Sequence, residues 1–276
     1  MLERLAALAQ ALTYLAVVLA AGGVFARASL RPQGEATRLL LRVTRTGALA
    51  TIGATAAALV VLMLRLGNEF DVEILGVVLA SNVGGAAALR LTGACLLLAT
   101  PSDDEDAFGR GMQLSAAALI AGSFAFSGHA AVEGLWSGML AAVHVAVIAW
   151  WVGALLVLRR ACALGDDVRT LLRRFSKLAL GAIGALVAAG VILVLTLIDF
   201  TEGFTPYVRN LAAKLAIVAI VLGLAAYNRF VLTRDIEAGD ATAITRLARA
   251  IEVELGLIGA VLVVTSIMTT FTSPHE

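Results

Sequence analysis

Eight stretches of this 276-residue chain are mostly apolar over 15 to 26 residues each, and no other feature limits the possible fold as strongly. A helix needs roughly 20 mostly apolar residues to cross the hydrocarbon core of a bilayer. Hydrophobic residues make up 60% of the chain, more apolar surface than a soluble domain of this length could bury. The stretches are Leu5–Ala26, Gly47–Leu66, Val83–Thr100, Met112–Phe126, Trp136–Leu158, Phe175–Ile198, Tyr207–Leu232 and Leu247–Thr270. They predict an all-α polytopic membrane protein with eight transmembrane helices, which form a single transmembrane domain over residues 1–276.

Two segments need a separate interpretation. The stretch Val72–Ala80 is apolar but too short to cross a bilayer, so we expect a half-helix or an interfacial helix. A break at Ser81-Asn82 and Gly84-Gly85 is expected to join it to the third span. The first span resembles a signal peptide, but its apolar run is too long for one and Glu3 and Arg4 leave its start without net positive charge. We therefore expect it to remain uncleaved.

The distribution of Lys and Arg predicts the orientation, because loops on the cytoplasmic side carry an excess of these residues. Sixteen of the 21 Lys and Arg residues flank the inner ends of the predicted spans, and only Arg4, Arg65 and Arg209 flank the opposite ends. Both termini are therefore expected in the periplasm. Cys95 and Cys162 then lie toward the reducing compartment, where we expect free thiols.

Several function classes find no support in the chain. It contains no CxxC, phosphate-binding loop, GxSxG or HExxH motif, and no polar segment long enough for a separate enzyme domain. We therefore do not expect an enzyme. The arginines are explained by topology, so they indicate contact with anionic membrane lipids and no nucleic-acid partner.

The three histidines all fall on the predicted outer side. His129 lies in the loop between the fourth and fifth spans, His144 lies in the fifth span roughly 10 Å below the outer surface, and His275 is next to last. Met139 lies nearby in the fifth span, and imidazole with thioether is a ligand set that suits copper, thioether in particular selecting Cu(I). The sequence thus predicts a copper ion bound by His129 and His144, with Met139 as a possible third ligand.

Other interpretations of these residues remain open. A histidine in a membrane helix can simply bridge neighbouring helices through hydrogen bonds, and methionines in apolar helices usually serve packing. His275 fits an ordinary tail residue. Further candidates for a part in copper handling are Met63, Met268 and Cys95.

Further polar residues fall at membrane depth, where they are costly and tend to mark pathways. They are Arg90, Lys214, Asn228, Glu252 and Glu254. Asn228 and Glu254 are expected at similar depth toward the inner face, and Lys214 is placed to reach Asp199 or Glu202. These groups either pair to fix helix registry or form a polar line used by a proton or a metal.

Several short motifs resemble the CopD/PcoD copper resistance membrane proteins. The motifs are His144 with Trp151-Val152-Gly153, Ser127-Gly128-His129-Ala130-Ala131, Arg174-Phe175-Ser176-Lys177-Leu178-Ala179, Leu211-Ala212-Ala213-Lys214-Leu215, Asn228-Arg229-Phe230, and Ile251 to Leu255. Their order and spacing carry the resemblance, which is strongest from about residue 120 to 256. Ala154 stands where the family often has a second glycine, and Arg234 where it often has proline.

The resemblance implies copper binding and transport across the bacterial inner membrane, usually as uptake from the periplasm to the cytoplasm. It also implies a separate periplasmic copper-binding protein as a partner, since no copper-binding domain is fused outside the membrane. Two alternatives remain: a membrane b-type cytochrome whose haem two histidines would ligate, and a copper-binding scaffold or sensor without transport.

Overall fold

A computed structural model of the chain describes residues 1–67, 71–100, 106–128, 133–165, 168–197, 205–240 and 242–272. Within these ranges every regular element is a helix. The helices are α1 (Leu2–Leu30), α2 (Gly34–Gly67), α3 (Val72–Ala80), α4 (Asn82–Ala99), α5 (Ala107–Gly122), α6 (Leu135–Leu164), α7 (Val168–Leu197), α8 (Pro206–Ala238) and α9 (Ala243–Phe271). Helix α5 continues into a 3-10 turn, Ser123–Phe126, and α8 contains a π-helical turn, Asn228–Leu232.

Seven of the helices described, all except α3 and α5, are long and apolar enough to cross a membrane. The chain is therefore a multi-pass membrane protein. Helix α5, where the fourth span was expected, has 16 α-helical residues before its 3-10 turn. The count of eight transmembrane helices and the periplasmic placement of both termini stay predictions.

The helices continue beyond the apolar stretches at the arginine-rich end. Helix α2 begins at Gly34 rather than Gly47, so Arg38, Arg42 and Arg45 lie on a helix and not in the expected loop. Similarly, α6 runs on to Leu164. Hydropathy detects only the part of a helix that matches the hydrocarbon core, whereas Arg, Glu, Ala and Leu are good helix formers outside it.

The break between α3 and α4 is confirmed at Ser81, whereas Gly84 and Gly85, expected to be part of the break, lie within the first turn of α4. The Ser81 hydroxyl donates to the carbonyl of Val78 at 2.7 Å and accepts from the backbone N–H of Val83 at 3.2 Å. One side chain thus satisfies a backbone group at the end of one helix and another at the start of the next.

Helix α1 occupies the centre of the fold and packs against α2, α5, α6 and α9. One buried cluster joins its inner half to the helices of the C-terminal part, through residues such as Leu30, Leu155 and Leu247. A second cluster joins α1 to α4 and α5 through Val17, Ala94 and Ile120 and neighbouring residues.

The contact between α1 and α6 depends on two glycines that face each other. A Cβ atom on Gly153 would overlap the carbonyl oxygen of Gly22, and a Cβ atom on Gly22 would overlap the carbonyl oxygen of Ala149. In lipid, helices associate largely through close packing of small residues, since hydrocarbon solvates apolar side chains as well as a neighbouring helix does. The glycine of the W-x-G motif is therefore explained by backbone packing.

Ionic and polar contacts tie the arginine-rich helix ends together. Arg174 donates to the carbonyl of Leu30 at 2.7 Å, so it satisfies a terminal carbonyl of α1. Ion pairs join Arg160 to Glu35 (3.3 Å), Arg159 to Glu252 (2.6 Å) and Arg173 to Glu237 (3.9 Å). Positive residues from separate connections thus meet at one end of the bundle. Glu252 was expected among the polar groups at membrane depth, but its side chain is half exposed in this ion pair.

We predict that Gly153→Ala destabilises the protein by about 1–3 kcal/mol, because its methyl group must push α6 away from α1. The matched control is Gly223→Ala on α8, where an added Cβ has no neighbour within 4 Å. Alanine favours helix over glycine by about 1 kcal/mol, so the control should be neutral or stabilising. Thermal unfolding of the detergent-purified variants measures both, and equal midpoints would contradict the packing role of Gly153.

Candidate functional site

His144 points from α6 toward α7 and α8, and it is the only histidine within the residues that the structure describes. Its ring lies beside Gly190 of α7, with Cε1 3.7 Å from the position that a Cβ atom there would take. It also approaches the backbone carbonyl of Leu186 and interacts electrostatically with Lys214 of α8. The Nδ1 atom is buried without a hydrogen-bond partner. One imidazole nitrogen is therefore left unused inside the bundle.

The other two ligands expected from the sequence are placed less clearly. His129 lies outside the described residues, as does His275. Met139 is 50% exposed on α6. Because it precedes His144 by five residues, its side chain leaves the helix about 140° away around the axis. The copper site of His129, His144 and Met139 thus stays a prediction.

The remaining sulfur candidates lie elsewhere in the bundle. Met63 on α2 and Met268 on α9 are both buried. Cys95 on α4 is exposed and Cys162 on α6 is partly buried, and both are free thiols. Lys214 was expected to reach Asp199 or Glu202, and both of these acidic residues lie outside the described ranges.

A cavity of about 220 Å³ lies among α6, α7, α8 and α9. It is called the inner cavity because it lies between His144 and the arginine-rich end of the bundle. Its walls are mostly apolar, and three polar side chains are joined within it. Trp151 Nε1 donates to Glu254 Oε1 at 2.7 Å, and Asn228 Nδ2 donates to Glu254 Oε2 at 3.2 Å. The Glu254 side chain is thereby buried with both carboxyl oxygens bonded. The expected similar depth of Asn228 and Glu254 is confirmed.

Aromatic rings fix the position of Trp151. Phe175 stacks on Trp150 with centroids 5.7 Å apart and meets Trp151 edge to face at 5.6 Å. Trp150 Nε1 donates to the hydroxyl of Ser29 on α1 at 2.8 Å. Both indole N–H groups thus have partners, as buried tryptophans require. These residues serve interior packing and hydrogen bonding rather than the membrane surface.

The π-helical turn of α8 carries Asn228 to the cavity. The turn begins at Asn228, whose carbonyl accepts a hydrogen bond from the Thr233 hydroxyl at 2.9 Å. Asn228 Oδ1 is buried with no hydrogen-bond partner. The next residue, Arg229, donates to the carbonyl of Ser176 on α7. Sequence periodicity could not reveal this turn, because a membrane helix is apolar on the faces toward lipid and toward protein alike. π-turns of this kind are frequent at functional sites.

Arg90 forms a second buried polar cluster at the opposite end of the bundle. Its Nε donates to the Ser123 hydroxyl at 2.9 Å and its Nη2 to the Ser127 hydroxyl at 2.8 Å. Its guanidinium also lies 5.0 Å from the centre of the Phe124 ring. Among the described residues its partners are hydroxyls and a ring, and not the carboxylate that charge pairing suggested. Arg90 thereby holds the chain just before Gly128 and His129.

Two family models match this chain. Residues 1–139 match the model described as "Copper resistance protein D-like, N-terminal domain", and residues 169–268 match the model described as "Copper resistance protein D". The chain belongs to the copper resistance protein D family. The resemblance found in its motifs is confirmed, and family membership gives this multi-pass protein a role in copper resistance or transport. No curated protein and no solved structure matches the sequence significantly.

Several motifs that carried the family resemblance meet at the inner cavity. The W-x-G motif contributes Trp151, the RFS motif contributes Phe175 and Ser176, and the helix-opening E-L motif contributes Glu254. The NR motif adds its asparagine and arginine to the same lining. In this copper resistance protein D family member, residues spread over about 100 positions of sequence thus form one structural feature. Across the described ranges, no group of three His, Cys, Asp or Glu side chains is close enough to hold a metal ion.

We predict that Arg90→Lys lowers the free energy of unfolding by about 1–3 kcal/mol, because lysine cannot keep both hydroxyl bonds and the ring contact. Arg65→Lys is the control, since its ion pair with Glu3 is partly exposed to solvent. Such pairs contribute about 0–1 kcal/mol. Thermal unfolding of the purified variants compares them, and an equally small effect for both would show that the Arg90 cluster adds little stability.

Proposed function

We propose that this protein binds copper and carries it across the bacterial inner membrane from the periplasm to the cytoplasm, as a transporter and not an enzyme. The observation that carries the proposal is the unpartnered, buried Nδ1 of His144. A buried polar atom normally has a hydrogen-bond partner, so an unused imidazole nitrogen inside a bundle marks a position that can accept a ligand. Membership of the copper resistance protein D family indicates that this ligand is copper.

The chemistry of the candidate ligands suits this cargo. Imidazole binds copper in both oxidation states, and thioether favours Cu(I). We propose His129 and His144 as the capturing pair, with Met139 as a third ligand. Because Met139 leaves α6 on a different side from His144, joint coordination requires a local change of helix geometry between these two residues.

A line of polar groups leads inward from His144. Trp151 follows it by seven residues on α6, which places both side chains on one face of the helix, about 10 Å apart along the axis. Trp151 then contacts Glu254 in the inner cavity. This line runs between α6, α7, α8 and α9, and α4 with Cys95 contributes no residue to the cavity. The helices α6–α9 are therefore our candidate pathway.

The direction rests on the placement of positive charge. The arginine-rich helix ends are assigned to the cytoplasm by the positive-inside rule, so His144 opens toward the periplasm. In the proposed role, a separate periplasmic copper-binding protein delivers the ion. Anionic lipids contact the arginines on the cytoplasmic side.

The alternatives make different demands on the protein. A b-type cytochrome with two axial imidazoles needs two histidines inside the bundle, and of the three histidines in the sequence only His144 falls within a predicted span. A Soret band in the purified protein would identify that function. Tight copper binding without copper flux in proteoliposomes would identify a scaffold or sensor.

We predict that His144→Ala lowers copper affinity at least tenfold, which is about 1.4 kcal/mol, because the variant lacks the imidazole. Competition between the purified protein and a chromogenic Cu(I) chelator measures the affinity, and uptake into proteoliposomes measures transport. His129→Ala should show a similar loss. The control is Val147→Ala, which removes side-chain volume one turn along the same helix. Wild-type affinity and flux in both histidine variants would refute the assignment of the site.

We predict that Lys214→Met raises copper affinity roughly tenfold or more, because it removes a positive charge that interacts with His144. Repulsion scales with the charge of the ion, so the gain should be larger for Cu(II) than for Cu(I). Lys177→Met, in the arginine-rich half of α7, is the matched control and should bind copper as the wild type does. Unchanged affinity in Lys214→Met would mean that this amine carries no charge next to the bound ion.

A further inference from the structure

Glu254 is a carboxyl group whose recorded partners, among the residues that the structure describes, are the neutral side chains of Trp151 and Asn228. Its relative exposure is 1%, and its two oxygens accept hydrogen bonds from neutral donors on α6 and α8. A buried charge is costly unless it is paired, and ionisable side chains inside membrane proteins tend to lie on ion or proton pathways. The copper site proposed above does not use this group.

The charged groups described in this part of the bundle that have recorded partners bind atoms other than the Glu254 carboxyl group. Arg229 of α8 is the other charged residue that lines the cavity, and it donates to the Ser176 carbonyl and lies 5.9 Å from the centre of the Phe230 ring. Helices α6 and α7 add no ionisable side chain to the lining. Nearby on α6, Arg159 pairs with Glu252, and from α7 Arg174 donates to the end of α1. On α1, Arg27 donates to Gln113 of α5.

Asn228 can serve Glu254 in either protonation state. In the structure its NH₂ group donates to the carboxylate, and its Oδ1 is buried without a partner. An asparagine amide presents a donor and an acceptor of nearly equal shape, related by rotation of the side chain by about 180°. After that rotation, Oδ1 accepts a hydrogen bond from a protonated Glu254. The unpartnered oxygen is thus the acceptor that the acid form of the glutamate needs.

The lining of the cavity argues against a second binding site that would hold copper there, although the ion passes between these helices in the proposed function. A site that holds copper needs imidazole or sulfur ligands, whereas the lining offers one carboxylate, one amide oxygen and the hydroxyls of Ser176 and Thr233. It contains no His, Cys or Met among the described lining residues, and its arginine repels cations. A proton-binding site needs one proton acceptor, together with hydrogen-bond partners for its ionised form and for its protonated form. Glu254 is such an acceptor, and Asn228 and Trp151 provide the hydrogen-bond partners.

We propose that Glu254, with Asn228 and Trp151, forms a proton-binding site that is protonated and deprotonated once in each copper transport cycle. The carboxylate gains one proton from water on one side of the membrane to give the neutral acid, and it loses that proton to water on the other side. No electron is transferred in this step. The coupling to copper rests on the proposed function, whereas the proton site itself does not.

The proton site is tested without copper. Infrared difference spectra of the purified wild type, recorded over roughly pH 5 to 8, should show a carboxyl C=O band from a group in apolar surroundings. The band should be absent in Glu254→Gln and present in the control Glu252→Gln, whose side chain is half exposed in its ion pair with Arg159. If the wild type shows no such band, or if Glu254→Gln keeps it, the site does not exist. The wild-type spectrum decides even if Glu254→Gln does not fold.

The coupling is tested in proteoliposomes loaded with a pH-sensitive dye. Copper uptake by the wild type should move protons and should change at least tenfold when the pH gradient is reversed, about 1.4 kcal/mol of driving force. Glu254→Gln should lose proton movement and this dependence, yet bind copper within about twofold of the wild type, since its His144 is intact. Glu252→Gln should behave as the wild type. Unaltered proton-linked uptake in Glu254→Gln would overturn the proposed coupling. If copper binding is lost in His144→Ala and kept in Glu254→Gln, that result bears on the copper site of the proposed function alone.

Discussion

A polar group inside a bilayer must find its partner within the protein, and this constraint determines where the chemistry of this chain can lie. Most of the buried polar groups described obey it closely. Arg90 is matched by two hydroxyls and a ring, and Glu254 by an indole N–H and an amide. The exceptions are therefore informative. Three side-chain atoms of the described residues are buried without partners: Thr55 Oγ1 on α2, His144 Nδ1 and Asn228 Oδ1. The last two lie near opposite ends of the group of helices α6–α9.

The packing of the bundle brings these groups together. Gly22 and Gly153 let α1 and α6 approach at backbone distance, and this contact lies next to Trp151 in the sequence of α6. Trp150, also on α6, is then fixed by its bond to Ser29 of α1, and Phe175 is packed between the two indoles. Gly153 on one face of α6 thus supports the position of the Trp151 indole N–H on the other face. The hydrogen bond to Glu254 therefore depends on the packing of α6 against α1, which lies outside the cavity.

The sequence predicted the features that depend on hydropathy and on single residues. It located the seven described helices that are long and apolar enough to cross a membrane, the break at Ser81 and the shared depth of Asn228 and Glu254, because each follows from apolar length, capping chemistry or position along a helix. It did not predict the true helix ends, the hydroxyl partners of Arg90, or the cavity. Those features depend on which helix faces are neighbours, and apolar periodicity is weak when lipid and protein both present apolar surfaces.

The unpartnered atoms of His144 and Asn228 suggest how helices α6–α9 could bind two kinds of cation, copper and a proton. His144 and Trp151 share a face of α6, and Trp151 donates a hydrogen bond to Glu254. An ion at His144 that displaces α6 would therefore change the position of Trp151 and the strength of its hydrogen bond to Glu254. The cavity beside Glu254 gives Trp151 and Asn228 room to rearrange without breaking dense packing, and the π-helical turn marks a place where α8 departs from regular geometry. Copper at His144 and a proton at Glu254 require different ligands, an imidazole in the first case and a carboxylate in the second. The chain separates them along one helix face, with the imidazole toward the periplasmic end in the proposed orientation and the carboxylate toward the arginine-rich end.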